Sequence, residues 1–211
     1  MADIVGHAEY EFDLSGGNLC LDFANTVNRR QDPDGATDHI NCHGDLVSFA
    51  EQCELISPEQ GNDLRAHAAR ERSRANRAFR KSLILRESLF RAFSAIAAGN
   101  SVEQPDLRRI EGAALEALRH RTLSGHRDNY QWEWKSEPGA KDQFDRILWP
   151  IAQSAAELLT SGKLDAVRQC EAATCAWLFL DESRNHSRRW CDMSICGNRE
   201  KARRHYQRKH R

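Results

Sequence analysis

Cys170-Glu-Ala-Ala-Thr-Cys175 and Cys191-Asp-Met-Ser-Ile-Cys196, the second running straight into Gly197-Asn198-Arg199, decide how the end of this chain folds. Two cysteine pairs of the same internal spacing, separated by fifteen residues, supply four soft ligands, the number a tetrahedral zinc ion takes. An iron–sulfur cluster uses the same ligands, but the four-residue gaps match none of the common ferredoxin spacings. Two disulfides, or inert core cysteines, are the remaining alternatives. Four protein thiolates leave no position for water, so the expected cofactor is one structural Zn²⁺ at Cys170, Cys175, Cys191 and Cys196.

The sequence around the cysteines fits that reading. Ala176-Trp-Leu-Phe-Leu180 is an apolar run long enough for one strand, Asp181 to Asn185 is turn-like, and Ser187-Arg188-Arg189-Trp190 returns the chain to the second pair. Four thiolates and Zn²⁺ total −2, a charge that Arg168, Arg188, Arg189 and Arg199 can offset. Beyond Cys196, Gly197 permits a tight turn and Asn198 a cap, giving a basic helix from Arg199 to Arg211. Folded helically, Arg199, Arg203 and Tyr206 lie along one face, with Lys201, Arg204, His205 and Arg208 on the adjoining surface. No apolar stripe can bury such a helix, so its natural partner is a phosphate backbone, with an arginine or two reaching guanine edges.

The whole chain of 211 residues can hold one substantial core and a small satellite. The division expected is a mainly helical domain over 1–165 and a zinc module over 166–211, too small to fold without its metal. A net charge of zero conceals a strong asymmetry. Residues 1–64 carry 2 basic and 13 acidic side chains, residues 65–86 carry 8 and 1, and residues 184–211 carry 10 and 2. A polyanion would therefore meet the C-terminus first. Met1 to Gly6 has neither a basic segment nor an apolar run, and no stretch approaches the roughly 20 apolar residues a membrane span needs. Seven cysteines, an odd number, favour a reducing compartment, and a cytoplasmic protein is expected.

Tyr10-Glu-Phe-Asp-Leu14 alternates at period two and reads as a short strand. Asn18 to Val27 shifts to helical spacing, with Asp22, Asn25 and Arg29 on a second face of one helix. That face is either a local polar network sealing the core or a patch for a small ligand. Residues 31–44 form a loop, Asp45 caps a short helix, and Ser57-Pro58-Glu59-Gln60 starts another. From Leu64 to Ala98 the sequence is almost continuously helix-forming, and its arginines can bind the acidic N-terminal segment. Gly99-Asn100 ends it, and the next helix, from Gln104-Pro105-Asp106, buries Leu107, Ile110, Ala114 and Leu118. Tyr130-Gln-Trp132-Glu-Trp134 is a core strand expected to pair with Tyr10 to Leu14. Phe144 to Leu159 reads as a helix kinked at Pro150, or two helices meeting at Trp149. The fold class expected is mainly α with a small antiparallel β-sheet.

Residues 170–208, with Cys196-Gly197-Asn198-Arg199 at their centre, resemble the CGNR zinc finger. Leu21-Asp22-Phe23-Ala24-Asn25-Thr26 resembles the opening motif of the ABATE domain that usually precedes that finger. Glu171-Ala-Ala-Thr174 departs from the Gly- and Pro-containing turn common in the first knuckle, without removing a ligand. The resemblance implies a bacterial transcription regulator whose finger binds DNA and whose N-terminal domain senses a stress signal or small-molecule effector. It assigns the nucleic-acid surface to Asn198, Arg199, Lys201, Arg203 and Arg204, to which the basic segment adds Arg188, Arg189, His205 and Arg208. The candidate effector residues are Asp22, Asn25, Thr26 and the pair Arg29-Arg30.

A DNA-binding regulator is thus the leading expectation, with the oligomeric state open and a homodimer one way to add to the limited specificity of one short basic helix. The alternatives are an RNA-binding protein, or a ligand-sensing or interaction protein whose zinc is only a clamp. Enzymatic function is not expected: the chain has no nucleophile elbow, phosphate-binding glycine loop or open metal triad.

Overall fold

A computed structural model describes residues 10–135 and 144–209. The fold is mostly helical with small antiparallel sheets, and it is organised around one long helix. The elements are α1 (Leu19–Ala24), β1 (Val27–Asn28), β2 (Thr37–Asp38), α2 (His43–Gln52), α3 (Pro58–Arg70), α4 (Arg72–Ala97) and α5 (Gln104–Arg119). Then follow β3 (Arg121–His126), β4 (Asn129–Trp134), α6 (Leu148–Thr160), β5 (Val167–Gln169), β6 (Leu178–Leu180) and α7 (Asn198–Lys209). Helix α4 touches α1, α2, α3, α5, β5 and β6, so the core is built along its buried side. Phe23, Phe49, Leu89, Phe93, Ile110 and Ile151 are fully enclosed there. Among the described residues, no helix is long and apolar enough to cross a membrane.

Local chemistry sets most of the helix boundaries. Ser57 and Gln60 close a reciprocal capping box with Pro58 in the first turn, as the sequence predicts. Gly99 takes the left-handed conformation, φ 73°, just beyond the end of α4. At α2 the cap differs from expectation: Cys42 holds the N-cap position, and the Asp45 carboxylate reaches back to the N–H groups of Asn41 and Cys42. The helical run predicted from Leu64 to Ala98 is two helices. Glu71 ends α3 and starts α4 at φ −118° and ψ 48°, with its carboxylate on Arg74. The basic run does bind acidic neighbours: Arg65 grips Glu51, and Arg86, itself buried, holds Asp38 at 2.6 and 2.7 Å.

Several expectations are corrected. Tyr10 to Leu14 forms no strand; its main chain instead clasps the Gln52 amide through both groups of Phe12, whose ring packs edge-on against Phe49. The aromatic strand pairs with its immediate predecessor, β3 with β4, in the register Arg121↔Trp134 to His126↔Asn129. Tyr130, Trp132 and Trp134 share one face of β4, but only Trp134, at the base of the hairpin, reaches Trp149, while Tyr130 and Trp132 stand 63% and 59% exposed, so this is not a core strand. On α5, Leu107 and Leu118 face solvent, and Ile110, Ala114 and Ala117 make the buried stripe. Pro150 causes no kink. It lies in the first turn of α6, where its missing N–H has no helical acceptor to lose.

Strand β6 belongs to two cores at once. Leu178 and Leu180 enter the main core with Val167 of β5, whereas Trp177 and Phe179 point the other way, into a second cluster with the four C-terminal cysteines. Period-two alternation alone produces this split.

Candidate metal centre and basic helix

The sulfurs of Cys170, Cys175, Cys191 and Cys196 all lie within 4.8 Å of one another, and each cysteine is buried. Cys191 Sγ stands 3.7 Å from the sulfurs of both Cys175 and Cys196. Zinc–sulfur bonds of about 2.3 Å in a tetrahedron require sulfur–sulfur edges of about 3.8 Å, so the four sulfurs are gathered closely enough to chelate a Zn²⁺ ion. All seven cysteines are free thiols. Hydrogen bonds to sulfur favour the anion: the N–H of Ala172 points at Cys170, that of Trp177 at Cys175, and the Arg199 guanidinium lies 3.1 Å from Cys196 Sγ. The Cys170 thiol is drawn far below its ordinary value, because the neighbouring Cys175 and Cys191 donate to it.

Each knuckle is tied by local contacts. In the first, the Cys175 N–H bonds to the Ala172 carbonyl, and Ala176 turns the chain at φ 68°. A side chain in the left-handed region costs about 1 kcal/mol, a strain the metal site is built to hold. Asp181, wholly buried, accepts from the N–H groups of Ser183 and Arg188 and so shapes the return loop. Arg188 lies over the Phe179 ring at 4.6 Å and donates to the Cys191 carbonyl, and Arg189 is clamped on Glu171.

Helical structure begins earlier than the sequence suggests. Asp192 caps it, accepting from the Ile195 N–H, and a π-turn over Met193–Gly197 carries Cys196 directly into α7. Gly197 takes no special turn here; a Cβ would come within 2.5 Å of the Met193 sulfur, the end of an exposed side chain that is free to move aside. Asn198 does not cap α7 but donates to the Ser194 carbonyl at 3.0 Å. Glu200, only 4% exposed, accepts from the Ala173 N–H and from Arg203, fastening α7 to the first knuckle. Asp181 and Glu200 were not singled out by sequence, where each reads as an ordinary surface carboxylate. The only hint is that Glu200 is one of just two acids in the strongly basic segment 184–211.

These contacts sort the basic residues. Arg188, Arg189, Asn198, Arg199 and Arg203 all have partners inside the module. Lys201, Arg204, His205 and Arg208 are exposed, without a hydrogen-bonded or ion-paired partner among the described residues, and spaced i, i+3, i+4 and i+7 on one stripe. His210 and Arg211 lie outside the described residues.

The candidate effector residues disperse. Helix α1 ends at Ala24, and Arg29 lies beyond β1 at φ 56°, so Asp22, Asn25 and Arg29 do not share one helical face. Asp22 accepts from the Gly16 N–H at 2.7 Å, and burial pushes its carboxyl up to about 7. The Asn25 amide bonds both main-chain groups of Leu178, and Thr26 Oγ1 donates to the Phe23 carbonyl. Arg30 grips Glu87 and lies 4.1 Å over Phe90, while Arg29 holds Asp32 at the surface. Further bonds join this stretch to the metal module: Trp177 Nε1 to the Val27 carbonyl, Leu180 N–H to the Gly16 carbonyl, and Gln31 N–H to the Thr174 carbonyl.

A family model described as "ABATE: Putative stress-induced transcription regulator" matches residues 17–162, and one described as "CGNR zinc finger" matches residues 166–209. The chain belongs to the ABATE family and carries a CGNR zinc finger. No curated protein matches it. In this ABATE chain three letters of the CGNR string have separate physical jobs: the cysteine is a ligand, the asparagine a strut to Ser194, and the arginine a cation on the ligand sulfur.

Proposed function

We propose that this protein is a DNA-binding transcription regulator in which the zinc finger is a rigid mount and α7 the contact element. The single observation that carries the reading is the stripe Lys201, Arg204, His205 and Arg208, unpaired among the described residues on a helix that Cys196 and Glu200 hold at its root. A solvated basic terminus would need no such anchorage, and fixing a helix matters chiefly when its direction matters. Twelve residues of α7 span about 18 Å, enough to enter a major groove with cations aligned along the phosphates. The family description, which names a stress-induced transcription regulator, supports the same reading. In this proposal Arg199 and Arg203 act mainly by holding the mount, and the stripe makes the phosphate contacts.

The test is fluorescence anisotropy of zinc-loaded protein on a mixed-sequence duplex, with structured RNA as competitor. Binding at low salt that is lost on chelation and resists RNA competition supports the proposal. Absence of duplex affinity at low salt, or preference for the RNA, overturns it.

A further inference from the structure

A cavity of about 380 Å³ opens between α4, α5 and the start of α6, far in sequence from the metal ligands and from the five candidate effector residues. It exists because α5 presents Gly112 and Ala113 to it; a Cβ built on Gly112 meets nothing within 4 Å. Its floor is apolar, from Leu85, Leu148 and Trp149, each nearly fully buried, and Ile84 stands 57% exposed at its edge. That volume falls in the range of small-molecule sites, which combine an apolar lining with a few placed polar groups.

The charges around it are unevenly satisfied. Asp145 is held by Lys81 at 2.7 Å, Glu116 by Arg119 and His120, and Arg109 by Asp106 at 3.2 Å. Arg108 lines the same cavity without a hydrogen-bonded or ion-paired partner among the described residues. A second hollow, sharing Lys81 and Asp145, adds Arg77, equally unpaired, and the Phe144 ring. Both carboxylates therefore already have cations, and the charge left unanswered is positive. An anion seated there would complete the pairing, and a guanidinium fork suits a carboxylate.

We infer that this cavity binds a small carboxylic acid with an apolar body, its carboxylate on Arg108 and its hydrocarbon or aromatic part against Leu85, Leu148 and Trp149. Helix α4, which supplies Ile84 and Leu85, also carries Ser94, the acceptor of the Gln169 amide from β5, so the ligand rests on the helix that supports the finger. The inference is independent of DNA binding and is read without DNA.

Octanoate is the probe, titrated calorimetrically into the zinc-loaded full chain, with octan-1-ol as the neutral control. Saturable one-site binding of octanoate, at least tenfold tighter than octanol, is expected. Gly112→Leu fills the cavity from a position where a side chain has room and a helix former is favoured, so the variant should fold and lose octanoate binding. Arg108→Ala, at the surface, should weaken binding at least tenfold and keeps the test decisive if Gly112→Leu disturbs the helix. Non-saturable octanoate uptake, equal affinity for octanol, or binding unchanged in Arg108→Ala overturns the inference.

Discussion

Asn25 and Leu178 are paired like neighbouring residues of a sheet: the Asn25 amide donates to the Leu178 carbonyl at 2.8 Å, and its carbonyl oxygen accepts from the Leu178 N–H at 2.8 Å. One side chain thereby satisfies both main-chain groups of the first residue of β6, the strand shared by the two cores. Asn25→Ala leaves two buried groups unpaired, at about 1–3 kcal/mol each. The expected loss is about 2–5 kcal/mol in urea unfolding, and Asn25→Asp, which sets a carboxylate against a carbonyl, should not rescue it.

The metal is expected to bind one ion per chain and to hold the two knuckles together. A chelator, or Cys196→Ser, should abolish the near-ultraviolet dichroism of Trp190 and loosen the root of α7. Most far-ultraviolet helix signal should survive, because α1 to α6 pack in the main core. Complete unfolding on chelation would mean that the main core depends on the zinc as well.

Asp22 makes stability depend on pH. Burial raises its carboxyl from 3.8 to about 7, so the unfolded chain releases this proton first. The stability it contributes is full below about pH 4 and is lost as pH rises through 7, at up to about 1.4 kcal/mol per unit. His43 slopes oppositely: burial holds it down to about 4, so its contribution is present above about pH 6.5 and lost as pH falls through 4. Asp22→Asn keeps an acceptor for Gly16 and removes only the first slope. The variant's urea midpoint at pH 8, compared with pH 5, should rise relative to wild type.

Glu200→Ala separates orientation from charge. The substitution removes an anion from the basic helix, which by electrostatics alone would strengthen DNA binding. It also cuts the bond to the Ala173 N–H and frees Arg203. The proposal predicts at least a severalfold fall in duplex affinity, and a rise would show that the direction of α7 is immaterial.

Much of this was legible in the sequence because its signals are local. The capping box at Ser57, the glycine after α4 and the cysteine spacing act over a few residues, so composition and period expose them. What was hidden depends on distant partners. Asn25 looks like part of a polar helical face until Leu178, 153 positions away, comes to lie against it. Tyr130 and Trp132 look like core because aromatic alternation marks a strand without saying what covers it. Glu71 interrupts α3 and α4 with no proline or glycine to announce the break. At the metal, the ligands were readable, but the start of helix at Asp192 was not, since the π-turn over Met193–Gly197 that joins this cap to α7 leaves no periodic signal in the sequence.

The most direct measurement is the salt dependence of duplex binding by zinc-loaded wild type and by the triple variant Lys201→Ala, Arg204→Ala, Arg208→Ala. If these side chains neutralise phosphates, log affinity against log salt should flatten by about 0.9 per cation removed, close to 3 in all. Substituting Arg188 and Arg189, whose guanidiniums are engaged inside the finger, should change that slope much less. An unchanged slope in the triple variant would contradict the claim that the α7 stripe is the DNA-contacting surface.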